Sequence, residues 1–267
     1  MKNRQATAAA TPAAPQVPTR SATRTPPAKP KKRHPRPGVL MRGALTEAYD
    51  LRGNSRGKLW LQYSAHARKD MAFTTELAYT HFLYTESSFD VTQVNYAPAD
   101  EVTRAVGAAF VDYVDVKLVL ANGETVWRHI GADEPSQSDQ DRLRELMLVL
   151  HTVKMPDGAL TPRLQTITPR QIVESEHRIR NWHRIASWLA AARYWNLHDH
   201  ELAVAALLRR RGRVEFQDVL ALGEGGEHSG LYGAALFKQL QRGAYRSNLF
   251  DATFTLRSTF SELQEAS

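Results

Sequence analysis

Apolar and polar residues alternate through FVDYVDVKLVLANGETVWRHI, Phe110 to Ile130, on both sides of Asn122-Gly123. The pattern predicts a β-hairpin turning at that pair. Asp112 and Asp115 fall on its first strand, and Trp127, Arg128 and His129 on its second. Upstream, GKLWLQYS (57–64) predicts a short strand. Lys69 to Ser87 predicts a helix with a broad apolar side made by Phe73, Leu77, Tyr79, Phe82, Leu83 and Tyr84. FDVTQVNYAP predicts a strand ended by Pro98. Beyond the hairpin, residues 131–139 predict a loop. DQDRLRELMLVLHTV predicts an amphipathic helix capped near Ser138 or Asp139, and KMPDGALTPR an irregular stretch.

The pattern changes in the second half. From Thr168 onward, apolar residues recur at Ile172, Ile179, Trp182, Ile185, Trp188, Leu189, Ala192 and Trp195, which predicts one long helix. Thr168-Pro169 with Gln171 supplies its start signal. HDHELAVAALLRRRG predicts a helix ended by Gly212, EFQDVLALGEGG a short one, and SGLYGAALFKQLQRG a third, ended by Gly243. Two β-rich segments around residues 248–251 follow. Three helices and then a hairpin is the order of a winged helix-turn-helix.

Composition adds exclusions. The chain has 267 residues, 42% of them apolar, enough for ordinary cores. It has no cysteine, so disulfides, thiolate nucleophiles and cysteine-held zinc are excluded. No apolar run approaches the roughly 20 residues of a membrane span. A cytoplasmic protein with no membrane contact is the expectation. Charge is uneven: residues 1–38 carry nine Lys or Arg, no Asp or Glu and eight prolines, so the formal net charge of +7 leaves the remaining body near −2. That stretch predicts a disordered basic tail, either a mobile phosphate contact or a solubilising arm.

In a winged helix the third helix enters the major groove of double-stranded DNA and the wing lies along phosphates. Lys238, Gln239, Gln241, Arg242, Tyr245 and Arg246 are the candidate contacts, with Arg209 to Arg213 at the end of the first of the three helices. Glu215, Asp218, Glu224 and Glu227 dilute this positive field. A winged helix can equally serve as a protein-binding module.

The run from Gly57 to Pro98, continued by Phe110 to Ile130, resembles the restriction-endonuclease-like domain of the TnsA family, the endonuclease subunit of heteromeric transposases. The resemblance implies an α/β restriction-endonuclease-like domain over 39–165, then a helical linker and winged helix over 166–267, after the 1–38 tail. It implies metal-dependent cleavage at transposon ends alongside a transposase subunit. Glu76 takes the place of the family's helix carboxylate and Val111-Asp112-Tyr113 that of its Pro-Asp-Phe. These two carboxylates would hold Mg²⁺. Val126 and Arg128 stand where the family has Glu or Gln and Lys, so one ligand is lost and an amine becomes a guanidinium. Arg128 would stabilise transition-state charge in an active site, or pair with Asp112 in a degenerate one. The alternative reading is a winged-helix regulator or adaptor without nuclease activity.

Overall fold

The computed structural model describes residues 40–41, 59–152, 161–223 and 228–263, all within the unit His34–Ser267. The expected tail over residues 1–38 lies outside the described residues, as do Glu224 and Glu227.

Strand β1 (Leu40–Met41) pairs with β3 (Lys69–Phe73), which also forms an antiparallel hairpin with β2 (Trp60–Ser64). The sequence pattern predicts helix from Lys69, and the structure has strand there. Arg68 takes φ 53° and closes the reversal, after which Met71, Ala72 and Phe73 all enter the core. The helix begins only after Thr75, whose side chain accepts from the Ala78 amide; it is α1 (Glu76–Glu86).

Next come β4 (Val91–Asn95), α2 (Ala99–Val106), a 3₁₀ turn (Ala108–Tyr113), β5 (Val116–Leu120), β6 (Thr125–Ile130), α3 (Gln137–Thr152) and β7 (Arg163–Ile167). The sheet order is β4-β5-β6-β7, antiparallel throughout except that β7 runs parallel to β6. The Asn122-Gly123 turn forms as predicted, with Gly123 at φ 84° and Asn122 Oδ1 accepting from the Glu124 amide. Its first strand starts at Val116, however, later than the alternation predicts. Gly107 ends α2, and the turn after it sends Phe110 and Val114 into a small core with Val102, Trp127, Leu146 and Leu150. Asp112 therefore lies on the 3₁₀ turn rather than on a strand. Ser136, not Ser138 or Asp139, caps α3, its hydroxyl accepting from the Asp139 amide.

The predicted long helix is two helices, α4 (Pro169–Val173) and α5 (Glu176–Ala191), broken at Glu174-Ser175. Thr168 and Gln171 do form the reciprocal cap at the start. Helix α6 (His198–Arg211) ends at Gly212, φ 70°. It is followed by β8 (Arg213–Glu215), α7 (Phe216–Ala221), α8 (Ser229–Gln241), β9 (Tyr245–Ser247) and β10 (Thr259–Glu262), with an antiparallel sheet in the order β8-β10-β9. At Gly233 a Cβ would come within 2.8 Å of the Trp188 ring and 3.1 Å of Phe216, so glycine lets α8 lie close against α5.

The result is a mixed α/β architecture in which residues on both sides of position 165 share one core. Phe73, Phe82, Tyr96 and Leu118 belong to the same cluster as Ile185, Leu208, Phe237 and Phe260. Among the described residues no helix is long and apolar enough to cross a membrane.

The last residue of α1, Glu86, is 1% exposed and carries a polar junction through this core. Its carboxylate accepts from Ser64 Oγ at 2.5 Å, the Ala65 and His66 amides at 2.9 and 3.3 Å, Tyr96 Oη at 2.9 Å and Gln241 Nε2 at 3.3 Å. Gln241 also donates to the Glu86 carbonyl at 3.0 Å, which ties the end of α8 to the end of α1. Glu86→Ala strands these donors and is expected to cost about 3–4 kcal/mol in urea unfolding, with Glu86→Gln losing roughly half as much. An alanine variant within about 1 kcal/mol of wild type would show that the junction is not structural.

Candidate functional site

The β5–β6 hairpin presents two faces. Val116, Leu118 and Val126 enter the large core beneath α1, while Trp127 enters the small core on the side of α2 and α3. The two-residue period thus puts Arg128 on the α1 face and His129 on the other. Arg128 is 6% exposed, and its Nη1 donates to Thr85 Oγ1 at 3.0 Å and its Nε to Gln165 Oε1 at 3.1 Å.

This placement separates the residues that the resemblance groups together. Glu76 is the exposed first residue of α1, whereas Arg128 reaches Thr85, nine positions on and roughly 14 Å further along the helix axis. Asp112 is exposed on the 3₁₀ turn, whose apolar residues pack on the opposite face of the sheet from α1. Val126 is buried and offers no ligand atom. Among the described residues no three His, Asp or Glu side chains gather as a metal ion would require. A divalent cation held by Glu76 and Asp112 beside Arg128 does not fit these positions.

Asp115, the other aspartate of the predicted hairpin, anchors the end of the second strand. Its Oδ2 lies 3.1 Å from His129 Nδ1 and accepts from the Ile130 amide at 2.8 Å. The signal for their pairing was available only through the strand start at Val116, which sets Asp115 against the end of β6.

The expected DNA-reading helix α8 is largely interior. Gly233 to Phe237, Leu240 and Gln241 are all buried in it. Its outward polar residues turn to one carboxylate on α6: Glu201 takes Lys238 Nζ at 2.6 Å, Gln239 Nε2 at 2.7 Å and Arg242 Nη1 at 3.8 Å. Gln241 is committed to Glu86, and Tyr245 is 5% exposed, its hydroxyl pKa raised by burial and then by Glu262 and Glu201. Gln241 and Tyr245 are thus interior residues rather than groove contacts. Arg246 is exposed.

Exposed arginines collect instead around the β8-β10-β9 sheet. Arg213 on β8 and Arg246 on β9 both stand opposite Ser261 of β10, so they share one face about 10 Å apart. Arg209, Arg210 and Arg211 are exposed at the adjoining end of α6, with Arg211 paired to Asp218 at 2.9 Å.

No protein-family model matches the chain, and a search of curated proteins found no match.

Near Arg128, His81 is fully buried with no hydrogen-bond partner for either ring nitrogen. Burial, reinforced by the Arg128 charge, holds its pKa well below the ordinary 6.5, so the folded chain keeps it neutral. The unfolded chain takes up that proton below pH 6.5 and the folded one does not, so stability is lost as pH falls. Unfolding free energy is expected to be flat above about pH 6.5 and to drop by up to about 1.4 kcal/mol per pH unit below it. His81→Leu should flatten the profile between about pH 6.5 and 5.5, and a variant retaining the full slope would remove His81 as its cause.

Proposed function

We propose that this chain is a double-stranded DNA-binding subunit of a transposition machinery, built on a nuclease-like scaffold and acting without hydrolysing DNA. The observation that carries the reading is the arginine-bearing face of β8-β10-β9, where Arg213 and Arg246 flank Ser261 beside Arg209 and Arg210. Guanidiniums spaced along one open face suit successive backbone phosphates, which position a protein on DNA without reading its sequence.

Two features support the family side of the reading. A mixed sheet lies between helices and carries a β5–β6 hairpin, as a restriction-endonuclease-like domain implies. Three helices interleaved with the β8-β10-β9 sheet follow, in the order of a winged helix. The buried state of α8 favours using that module for packing, with the wing and the end of α6 left for phosphates. A transposase partner would supply the hydrolytic chemistry, since Glu76 and Asp112 stand apart and Arg128 cannot act as a base.

Anisotropy titration of a labelled duplex across a salt series tests DNA contact. Arg213→Ala and Arg246→Ala should each weaken binding and each lower the log–log salt slope by about 0.9, and slopes equal to wild type would end the assignment of that face. Plasmid nicking by the chain alone in Mg²⁺, abolished by Asp112→Ala, would overturn the non-hydrolytic part of the proposal.

A further inference from the structure

Arg128 and Arg178 are two recessed cations that the core does not neutralise. Removing a guanidinium from water costs several kcal/mol unless an anion accompanies it, and buried charges are ordinarily paired. Here the acceptors are neutral. Arg128 has Thr85 and Gln165; Arg178 donates from Nε to Ser87 Oγ at 2.6 Å and from Nη2 to Ser88 Oγ at 2.8 Å and the Tyr84 carbonyl at 3.3 Å. Aromatic faces supply the remaining support, with Arg178 Cζ 4.8 Å from the Tyr84 ring centre and 5.2 Å from that of Phe250, and Arg128 Cζ 5.8 Å from Tyr84. Among the described residues neither Arg128 Nη2 nor Arg178 Nη1 has an acceptor, and no carboxylate forms an ion pair with either side chain. Burial lowers the pKa of both, yet a guanidinium stays charged.

Both side chains line a cavity of about 410 Å³, together with Ser87, Ser88, Gln165 and, at its mouth, Arg163 and Asp90. Arg163 is already paired with Glu124 at 2.5 Å. Asp90 is exposed and beyond ion-pair distance, so it tempers the positive field without cancelling it. The volume lies within the usual range for small-ligand sites.

We propose that this cavity binds a phosphomonoester group. Such a group brings a charge of about −1.5 to −2 at neutral pH and three acceptor oxygens on a free end. The two guanidiniums match that charge and retain unused donors. A duplex phosphodiester carries a single charge, and the chain leaving it on both sides keeps it from a residue as recessed as Arg128. The inference concerns a different surface from the β8-β10-β9 face and stands whether or not duplex binding there does.

Calorimetric titration of the full chain with inorganic phosphate, a 5′-mononucleotide, and an oligonucleotide carrying either a 5′-phosphate or a 5′-hydroxyl tests it. Wild type should bind phosphate saturably. Arg178→Gln, checked for folding by circular dichroism, should weaken binding at least about tenfold, the value of one lost charge-assisted hydrogen bond. Asp90→Asn removes a repulsive charge and no side-chain bond, so it should tighten binding; this arm holds even if the arginine variant fails to fold. A phosphate-dependent preference for the 5′-phosphorylated strand, erased in Arg178→Gln, supports the proposal and assigns the source as a DNA end. Equal binding of the mononucleotide supports it with a small-molecule source. Absence of binding to all the phosphorylated probes, or phosphate affinity unchanged in both variants, overturns it.

Discussion

The carboxylate of Glu86 accepts from donors on three separate stretches of chain: the end of β2 with the turn after it, Tyr96, and the last turn of α8. At 1% exposure it has no water to fall back on, so these stretches must meet at one point or leave a bare charge in the core. Tyr96 shows the strength of that requirement. Burial and then the Glu86 charge raise its hydroxyl pKa well above normal, so it remains a donor. Because Gln241 supplies the contribution of the C-terminal half, satisfying this charge also fixes α8 against α1.

The fate of α8 follows from that docking. A helix that reads a groove needs one open polar face, but α8 is pressed on α5, α6 and α7 and has Gly233 where Trp188 crowds it. Its few outward polar groups are gathered by Glu201. Apolar residues on nearly every side of SGLYGAALFKQL already signal a core helix, since an amphipathic one would show a polar stripe. The order of helices and strands suggested a groove reader; the composition of that one helix pointed to packing.

Local chemistry was the legible part of the fold. Asn122-Gly123, the Thr168–Gln171 cap and the glycines at 212 and 243 each specify a backbone geometry within a few residues, and each occurs where the sequence puts it. Elements defined by distant partners were not legible. Lys69–Phe73 becomes strand because β2 and β1 pair with it, and β7, half polar in RLQTI, is a strand because β6 lies alongside. The candidate site fell between these cases. Period-two alternation correctly put Val126 and Arg128 on one face, but a delayed strand start moved Asp112 onto a turn and brought Asp115 to His129 instead. Glu76 and Arg128 share a helix as neighbour, yet at opposite ends of it, a separation that spacing along the hairpin does not encode.

Thr85 and Glu86 are consecutive residues of α1, so their side chains leave the helix about 100° apart. One meets Arg128 and the other meets Ser64, Tyr96 and Gln241. The core therefore holds an anion and a cation near the same helix end without pairing them, although pairing would relieve both desolvation costs. The two shells are unequal. Glu86 is surrounded by donors from the protein itself, while Arg128 has neutral acceptors on two of its nitrogens and a cavity beside it. Had Glu86 turned toward Arg128, that guanidinium would be paired within the protein, and the β2 turn and α8 would lose their common anchor. By committing the carboxylate to the fold, the chain leaves its guanidinium charge to be matched from outside.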